Sequence, residues 1–442
     1  MIWLEWNHRM SHQPERQVVI TGIGVVSPIG VGAEEFRQSL NAGRSGIAPI
    51  ELLPYTPFPN HIAGEVKNFS AAKYAKTKEQ KKGIKVMCRE IQLGVVSASL
   101  ALDHAGIQDG QINPERLGVD FGANLMLSPP EDLGSACFAC IDEQTQEFRF
   151  DRWGKQGMSE MFPLWLLKYL PNMPACHIGI AADARGPNNS ITLDEASGCL
   201  VLGEAFRVIA RGHADVMISG ATGTRLHAVK SMHAAMWDQL AAPTDDPTKA
   251  VRPFDLNRTG QAVGEGACTL ILEDAAHAAQ RGAKVIGSVL GTGSSCVLGK
   301  DGKPNVRQAL AQAMRGALRD AEVEARDIGH INAHGMGSSD SDRDESAAIH
   351  DVFEVDAEKV PVTAFKSYLG NSGSGCGPLE LAASLIGLQQ GVVFPTLNYE
   401  TPDPACRLNV VRAKPLPVTN RTFLKINVTR MGQASAVVIR GA

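Results

Sequence analysis

No apolar run in these 442 residues approaches the roughly 18 needed for a membrane-spanning helix, so no span is expected. An excess of charge of one sign is missing too. The 43 Lys and Arg residues nearly balance 47 Asp and Glu, for a net charge of -4, without the basic bias that a nucleic-acid binder usually carries. Metal and nucleotide signatures stop short. Cys137 and Cys140 form a lone C-x-x-C with no second pair at zinc spacing. SDSDRDES has alternating aspartates but lacks the glycine of a calcium loop, with Glu345 in its place. GIGVVS and GTGSSC each lack the third glycine of a dinucleotide loop. The nine cysteines are scattered and odd in number, which fits reduced thiols in the cytoplasm better than a disulfide framework.

A 44% hydrophobic content is enough to bury a large core, and disorder is not expected. The start, MIWLEWNHRMSHQPER, has no apolar stretch of signal-peptide length. Residues 1–15 read as a loose extension, with Met10 a second candidate start.

From there strands alternate with helices, the pattern of parallel β-α-β units. QVVITGIGVVS reads as a buried strand, residues 80–106 have helical periodicity, and RLGVDFGANL is a second strand. Residues 151–174 read as a helical, aromatic-containing insertion, with Trp153, Phe162, Trp165 and Tyr169 spaced along one face. Near residue 285 the pattern restarts, since KVIGSVLGTGSS echoes QVVITGIGVVSP in its apolar run and spaced glycines. The echo predicts a duplicated fold with halves at 16–282 and 283–442.

The stretch ITLDEASGCLVLGEA, residues 191–205, reads as a strand, a tight turn and a helix. Such an elbow holds a reactive side chain at a helix start. At this bend stands Glu195.

Several motifs converge on one family. VVITGIGVVSPIG, GPNNSITLDEASG, RPFDLNRTGQAVGEGACTLILED, INAHGMGSSDSDRDE and KSYLGNSGSGCGPLE resemble, in order, the β-ketoacyl-acyl-carrier-protein synthases of the thiolase superfamily. The resemblance spans roughly residues 16 to 440. It implies a thiolase fold: two βαβαβαββ halves forming a five-layer α-β-α-β-α sandwich, with a dimer as the working unit. Members join an enzyme-bound acyl group to a malonyl thioester carried by acyl carrier protein. A cysteine at the elbow takes the acyl chain, and two later side chains, normally histidines, stabilise the thioester oxygen as decarboxylation makes an enolate.

Carried over residue by residue, the cysteine position falls on Glu195. The first histidine is His334 and the second is replaced by Asn371. The lysine of the second pattern is Lys366, and the acids after the first histidine are Asp342 and Glu345. The threonines that contact the carrier's pantetheine are replaced by Met336 and Ser338. The glycine-rich gate is reduced to Gly432 in NVTRMGQAS. No metal and no cofactor of the chain's own is implied; phosphopantetheine arrives as the carrier's arm.

A carboxylate attacking a thioester would give a mixed anhydride, higher in energy than its precursor, and it is a far weaker nucleophile than a thiolate. Condensation through an acyl-Glu195 is therefore not expected. Three roles remain open. Glu195 is a plug, its charge favoured by the helix start and paired with Lys366 or His334. That resembles the chain-length factors, which lost the cysteine, usually carry glutamine there, and pair with a cysteine-bearing ketosynthase. Or His334 and Asn371 still decarboxylate a malonyl group, as a His and an Asn do in the chalcone-synthase branch. Or Glu195 is a general base for carrier-bound acyl chemistry, with His334 as partner.

The first role, in a heterodimer or homodimer, is the primary reading; an active decarboxylase or acyltransferase using Glu195, His334 and Asn371 is the competing one. Cys199, four residues on, falls one turn deeper on the elbow helix, where packed core is expected. KYAKTKEQKKGIKV carries six lysines in 14 residues, a solvated face or a docking patch for an acidic carrier protein.

Overall fold

The computed structural model describes residues 16–442; the extension expected over residues 1–15 lies outside the described residues. The first half runs β1 (Val18–Ser27), α1 (Arg89–His104), β2 (Leu117–Ala123), α2 (Met173–Ala182), β3 (Asn188–Ile191), α3 (Ser197–Ala210), β4 (Val216–Thr224) and β5 (Glu265–Asp274). The second repeats the order: β6 (Gly287–Cys296), α4 (Val306–Asp320), β7 (His330–Asn332), α5 (Ser339–Phe353), β8 (Pro361–Thr363), α6 (Cys376–Gln389), a short β9 (Asn409–Val410), β10 (Thr422–Val428) and β11 (Gln433–Gly441).

Strand order is β1-β5-β4-β2-β3 in one half and β6-β11-β10-β7-β8 in the other. The senses match as well: β1, β5 and β4 are successively antiparallel, and β4, β2 and β3 are parallel. In the second half β6, β11 and β10 are antiparallel, and β10, β7 and β8 are parallel. The two mixed sheets meet edge to edge through three antiparallel pairs, Val18 with Val289, Val19 with Ser288 and Ile20 with Gly287. Twelve strands therefore form one continuous sheet of two arms.

Helices α3 and α6 lie between the arms, while α1 and α2 cover the outside of the first and α4 with α5 that of the second. Strands covered on both faces read as unbroken apolar runs, and all ten residues of β1 are buried. Helix α6 is buried from Cys376 through Leu388, as expected of a helix apolar all round. Each leucine it buries stabilises the fold by about 1.5–3 kcal/mol.

The insertion departs from the expectation of one helical face. Residues 150–160 form one run that changes pitch, α at Phe150–Arg152, a wide π turn at Trp153–Gly157 and a 3₁₀ turn at Met158–Glu160, and a separate 3₁₀ turn covers Trp165–Lys168. Pro163 lies in the break between them. Trp165 donates to Ser128 at 3.0 Å and Tyr169 to Asp132, so these aromatics pack back onto residues 128–132.

Candidate active site

The elbow is built as the sequence suggests. Strand β3 leaves the sheet at Ile191, a single 3₁₀ turn covers Asp194–Ala196, and α3 begins at Ser197. Asp194 turns the chain with φ +46°, a left-handed conformation that aspartate tolerates better than most residues. The Leu193 amide donates to Ser197 Oγ at 2.7 Å, closing the turn.

Two glycines let the second half come close. A Cβ on Gly198 would stand 2.3 Å from Pro378 Cδ, so α3 and α6 touch backbone to ring. One on Gly223 would stand 1.9 Å from the Ser372 carbonyl, which brings the end of β4 against the Asn371 loop. Arg225 follows directly.

Glu195 is buried, and its Oε1 accepts from Arg225 at 2.6 Å and from Asn371 Nδ2 at 3.0 Å. The expected partners, Lys366 and His334, do not pair with it; the guanidinium of Arg225 is the cation that reaches the seat. Arg225 also pairs with Asp194 at 3.0 Å and with Asp238 at 3.1 Å. Burial pushes the Glu195 carboxyl up from its ordinary value and the neighbouring Asp194 charge adds to this, opposed by Arg225 and the Asn371 amide. Burial alone would lower the Arg225 pKa, but three carboxylates around it more than offset that, and it stays charged.

Asn371 is saturated. An amide nitrogen has two hydrogens, and both are spent, on Glu195 Oε1 and on Gln261 Oε1 at 2.6 Å. Its oxygen accepts from the Gly373 amide at 2.9 Å and the Cys376 thiol at 3.3 Å. The backbone donor fixes which end of the side chain is oxygen.

His334 is fully buried, and burial followed by the charges of Lys366 and Lys425 holds its pKa well below the ordinary value. The neutral ring accepts at Nδ1, with Asn427 Nδ2 at 3.2 Å and Lys366 Nζ at 3.3 Å. The proton is thereby placed on Nε2, a buried donor with no protein partner among the described residues. Glu345 holds the loop by accepting from the His334 and Gly335 amides at 2.6 and 2.8 Å. Asp342 accepts from Phe254 and Gly337. Lys366 donates to the His334 carbonyl at 2.7 Å and pairs with Glu380 at 2.8 Å; Glu380 also takes Lys425. Lys366 therefore braces the histidine loop.

A cavity of about 430 Å³ opens in front of the elbow, with Glu195, Arg225, Gln261 and Met336 at its floor and Trp237 and Arg430 among its walls. His334, Asn371 and Lys366 do not line it. Met336, expected to face the carrier's arm, does line it; Ser338, expected beside it, does not, and its carbonyl turns to Arg258 at 3.3 Å. Where the family's glycine-rich gate falls stand Thr429, Arg430 and Met431. The Arg430 guanidinium lies 4.8 Å from the centre of the Trp237 ring, and the His233 ring, tilted by 45°, lies 4.8 Å from the same indole.

Sequence reasoning missed Arg225, Gln261, Trp237 and Arg430. One signal was present: two adjacent acids, Asp194 and Glu195, at a turn entering a buried helix call for a cation. Cys199 is packed a turn below the elbow with its thiol pushed up to about 12 by burial, and it donates to Asn427 Oδ1 at 3.3 Å. It is no displaced nucleophile. Among the described residues no cluster of three metal-ligating side chains occurs and no helix is long and apolar enough to cross a membrane.

The arrangement has a carboxylate in place of a thiol at the elbow, one saturated amide, and a buried donor, His334 Nε2, without a partner among the described residues. Residues 15–278 match the family model "Beta-ketoacyl synthase, N-terminal domain", and residues 286–400 match "Beta-ketoacyl synthase, C-terminal domain". The tetracenomycin polyketide synthase ketoacyl synthase alpha subunit of Streptomyces glaucescens is 34% identical, over 91% of this chain and 92% of its own. The solved ishigamide ketosynthase/chain length factor superposes with a TM-score of 0.82 at 28% identity, covering 97% of this chain and 100% of that one. A type II polyketide acyl-carrier protein in complex with its ketosynthase gives 0.80 at 26% identity, with the same coverage. The chain belongs to the beta-ketoacyl synthase family.

Proposed function

We propose that this chain is the non-condensing, chain-length-factor-like subunit of a fatty-acid or polyketide ketosynthase pair, working in the cytoplasm beside a cysteine-bearing partner. The filled seat carries this reading. Glu195 Oε1 receives Arg225 and Asn371 where a cysteine would take the acyl chain, and the thiol of α3, Cys199, is buried and hydrogen-bonded to Asn427. Acyl transfer to that carboxylate would run uphill to an anhydride. The similarity to a ketosynthase/chain length factor supports the same role.

A partner subunit has a place to dock. Strand β3 ends its sheet with one edge unpaired among the described residues, and the adjoining α2 exposes Ile180. All six lysines of residues 73–86 are exposed, a surface suited to steering an acidic carrier protein whose phosphopantetheine arm would enter past Met336.

The unpartnered His334 Nε2 favours a second reading, malonyl-carrier decarboxylation, which needs an oxyanion site and no nucleophile. It requires Asn371 to release Glu195 or Gln261 first. Co-expression with a cysteine-bearing ketosynthase separates the two. A silent subunit co-purifies with that enzyme, raises its turnover and has none alone. Release of carbon dioxide from malonyl-carrier by the isolated chain, abolished by His334→Ala, would establish the second reading instead.

A further inference from the structure

We infer that Arg225 is the positioning residue of this site: it pins Glu195 across the seat and so closes the cavity floor over His334. The inference deepens the silent-subunit reading and rests on it for the meaning of a filled seat. Arg225 is the point where three segments meet. Asp194 and Glu195 come from the elbow, Asp238 from the end of the helix Ala228–Trp237, and Arg225 itself from the loop after β4. Its side chain is only 13% exposed, and no other cation pairs with any of these three acids among the described residues. Without it, the buried Glu195 carboxylate would stand unpaired beside half-exposed Asp194, which burial disfavours.

His334 lies behind that floor: Met336, two residues on along the same loop, packs on Asn371, and the Arg225 charge reaches the imidazole. The cavity reaches Glu195, Arg225, Gln261 and Met336 and stops there. Behind them the Asn371 amide touches Glu195 at 3.0 Å, Gln261 at 2.6 Å and the Met336 sulfur at 3.4 Å. Glu195 is the one of these three whose carboxylate is held from the cavity side, by Arg225 at 2.6 Å. Loss of Arg225 frees that carboxyl to swing into the cavity and releases one Asn371 hydrogen. His334, neutral and with Nε2 unpaired, then becomes reachable.

Diethyl pyrocarbonate, which acylates neutral imidazole nitrogen, reads this out residue by residue by peptide mass mapping. In the unaltered protein His334 is expected to stay unmodified while exposed His213 reacts. Arg225→Met should raise the His334 rate on the order of tenfold or more, the size expected when a charge-assisted hydrogen bond leaves a buried site. Arg225→Lys, which keeps the charge, should restore most of the protection. Core His330, fully buried, is the internal control for folding. If it reacts in Arg225→Met, the milder Asp238→Asn, which removes only one of Arg225's partners, carries the test with a smaller rise. His334 reacting in the unaltered protein as fast as His213 overturns the inference. So does His334 staying protected in both variants while His330 is intact. A silent subunit with an unsealed His334 would fail here yet still co-purify with its partner, so the two readings fail separately.

Discussion

Replacing Glu195 by glutamine keeps the shape of the plug and deletes its charge, and the structure fixes the sign of the result. The Arg225 pair at 2.6 Å would contribute about 6 kcal/mol of attraction at an effective dielectric near 20. Against it stand the removal of a carboxylate from water, several kcal/mol, and repulsion from the adjacent Asp194. Burial leads this balance, so the Glu195 carboxyl titrates above its ordinary 4.5 in the folded chain. A carboxyl raised on folding contributes stability that is complete below its unfolded pKa and is lost as pH climbs through the folded one. Glu195→Gln lacks that loss. Urea denaturation of both proteins should therefore give similar midpoints at pH 4. A gap in favour of the glutamine variant should open above pH 4.5 and level off at the folded pKa, about 1.4 kcal/mol for each unit of upward shift. A gap of the opposite sign, with the unaltered protein gaining on the variant as pH rises, would refute the reasoning and give the ion pair precedence over burial.

Other consequences can be checked on the same protein. Glu345 and Asp342 are pushed up to about 7 and about 6 by burial, so the His334 loop should lose stability as pH rises through that range, by about 3 kcal/mol for Glu345; hydrogen exchange of the Gly335 amide at pH 5 and 8 reads it. Glu380→Gln leaves Lys366 and Lys425 buried against a neutral amide and should cost about 3–5 kcal/mol in chemical denaturation. Iodoacetamide should label exposed Cys296 and spare Cys199 in the folded protein, counted by mass spectrometry. Reversing Lys78, Lys81 and Lys82 to glutamate should weaken carrier-protein binding and flatten its salt dependence, measured by titration at two ionic strengths.

The fold was largely legible because its signals are local and periodic. The apolar run of β1 and the restart at β6 each follow from neighbours in sequence. The helical spacing read over 80–106 holds for 89–104, the chain being extended at Met87 and Cys88 after the short turns of 78–86. Glu195 was legible for the same reason, since strand, turn and helix start lie within 15 residues. Its partner was not. Arg225 follows a strand in an unremarkable TRLH, and its three acids lie 31, 30 and 13 residues away, joined only by the approach of β4 to the Asn371 loop at Gly223. The sequence left Lys366 either to bond Glu195 or to brace its own loop; Glu380, just over one turn into α6, takes the lysine and decides for the brace. The aromatic insertion misled by spacing alone: three- and four-residue intervals survived while a π turn at 153–157 and a break at Pro163 changed the helical period.

The most direct measurement gives the purified chain acyl-carrier and malonyl-carrier thioesters together and follows intact mass alongside product. No mass increment on the chain and no β-ketoacyl product is the expected result, with product appearing once a cysteine-bearing ketosynthase is added. An acyl increment mapped to Glu195 or Cys199, accompanied by product from this chain alone, would contradict the claim that its nucleophile seat is filled for good.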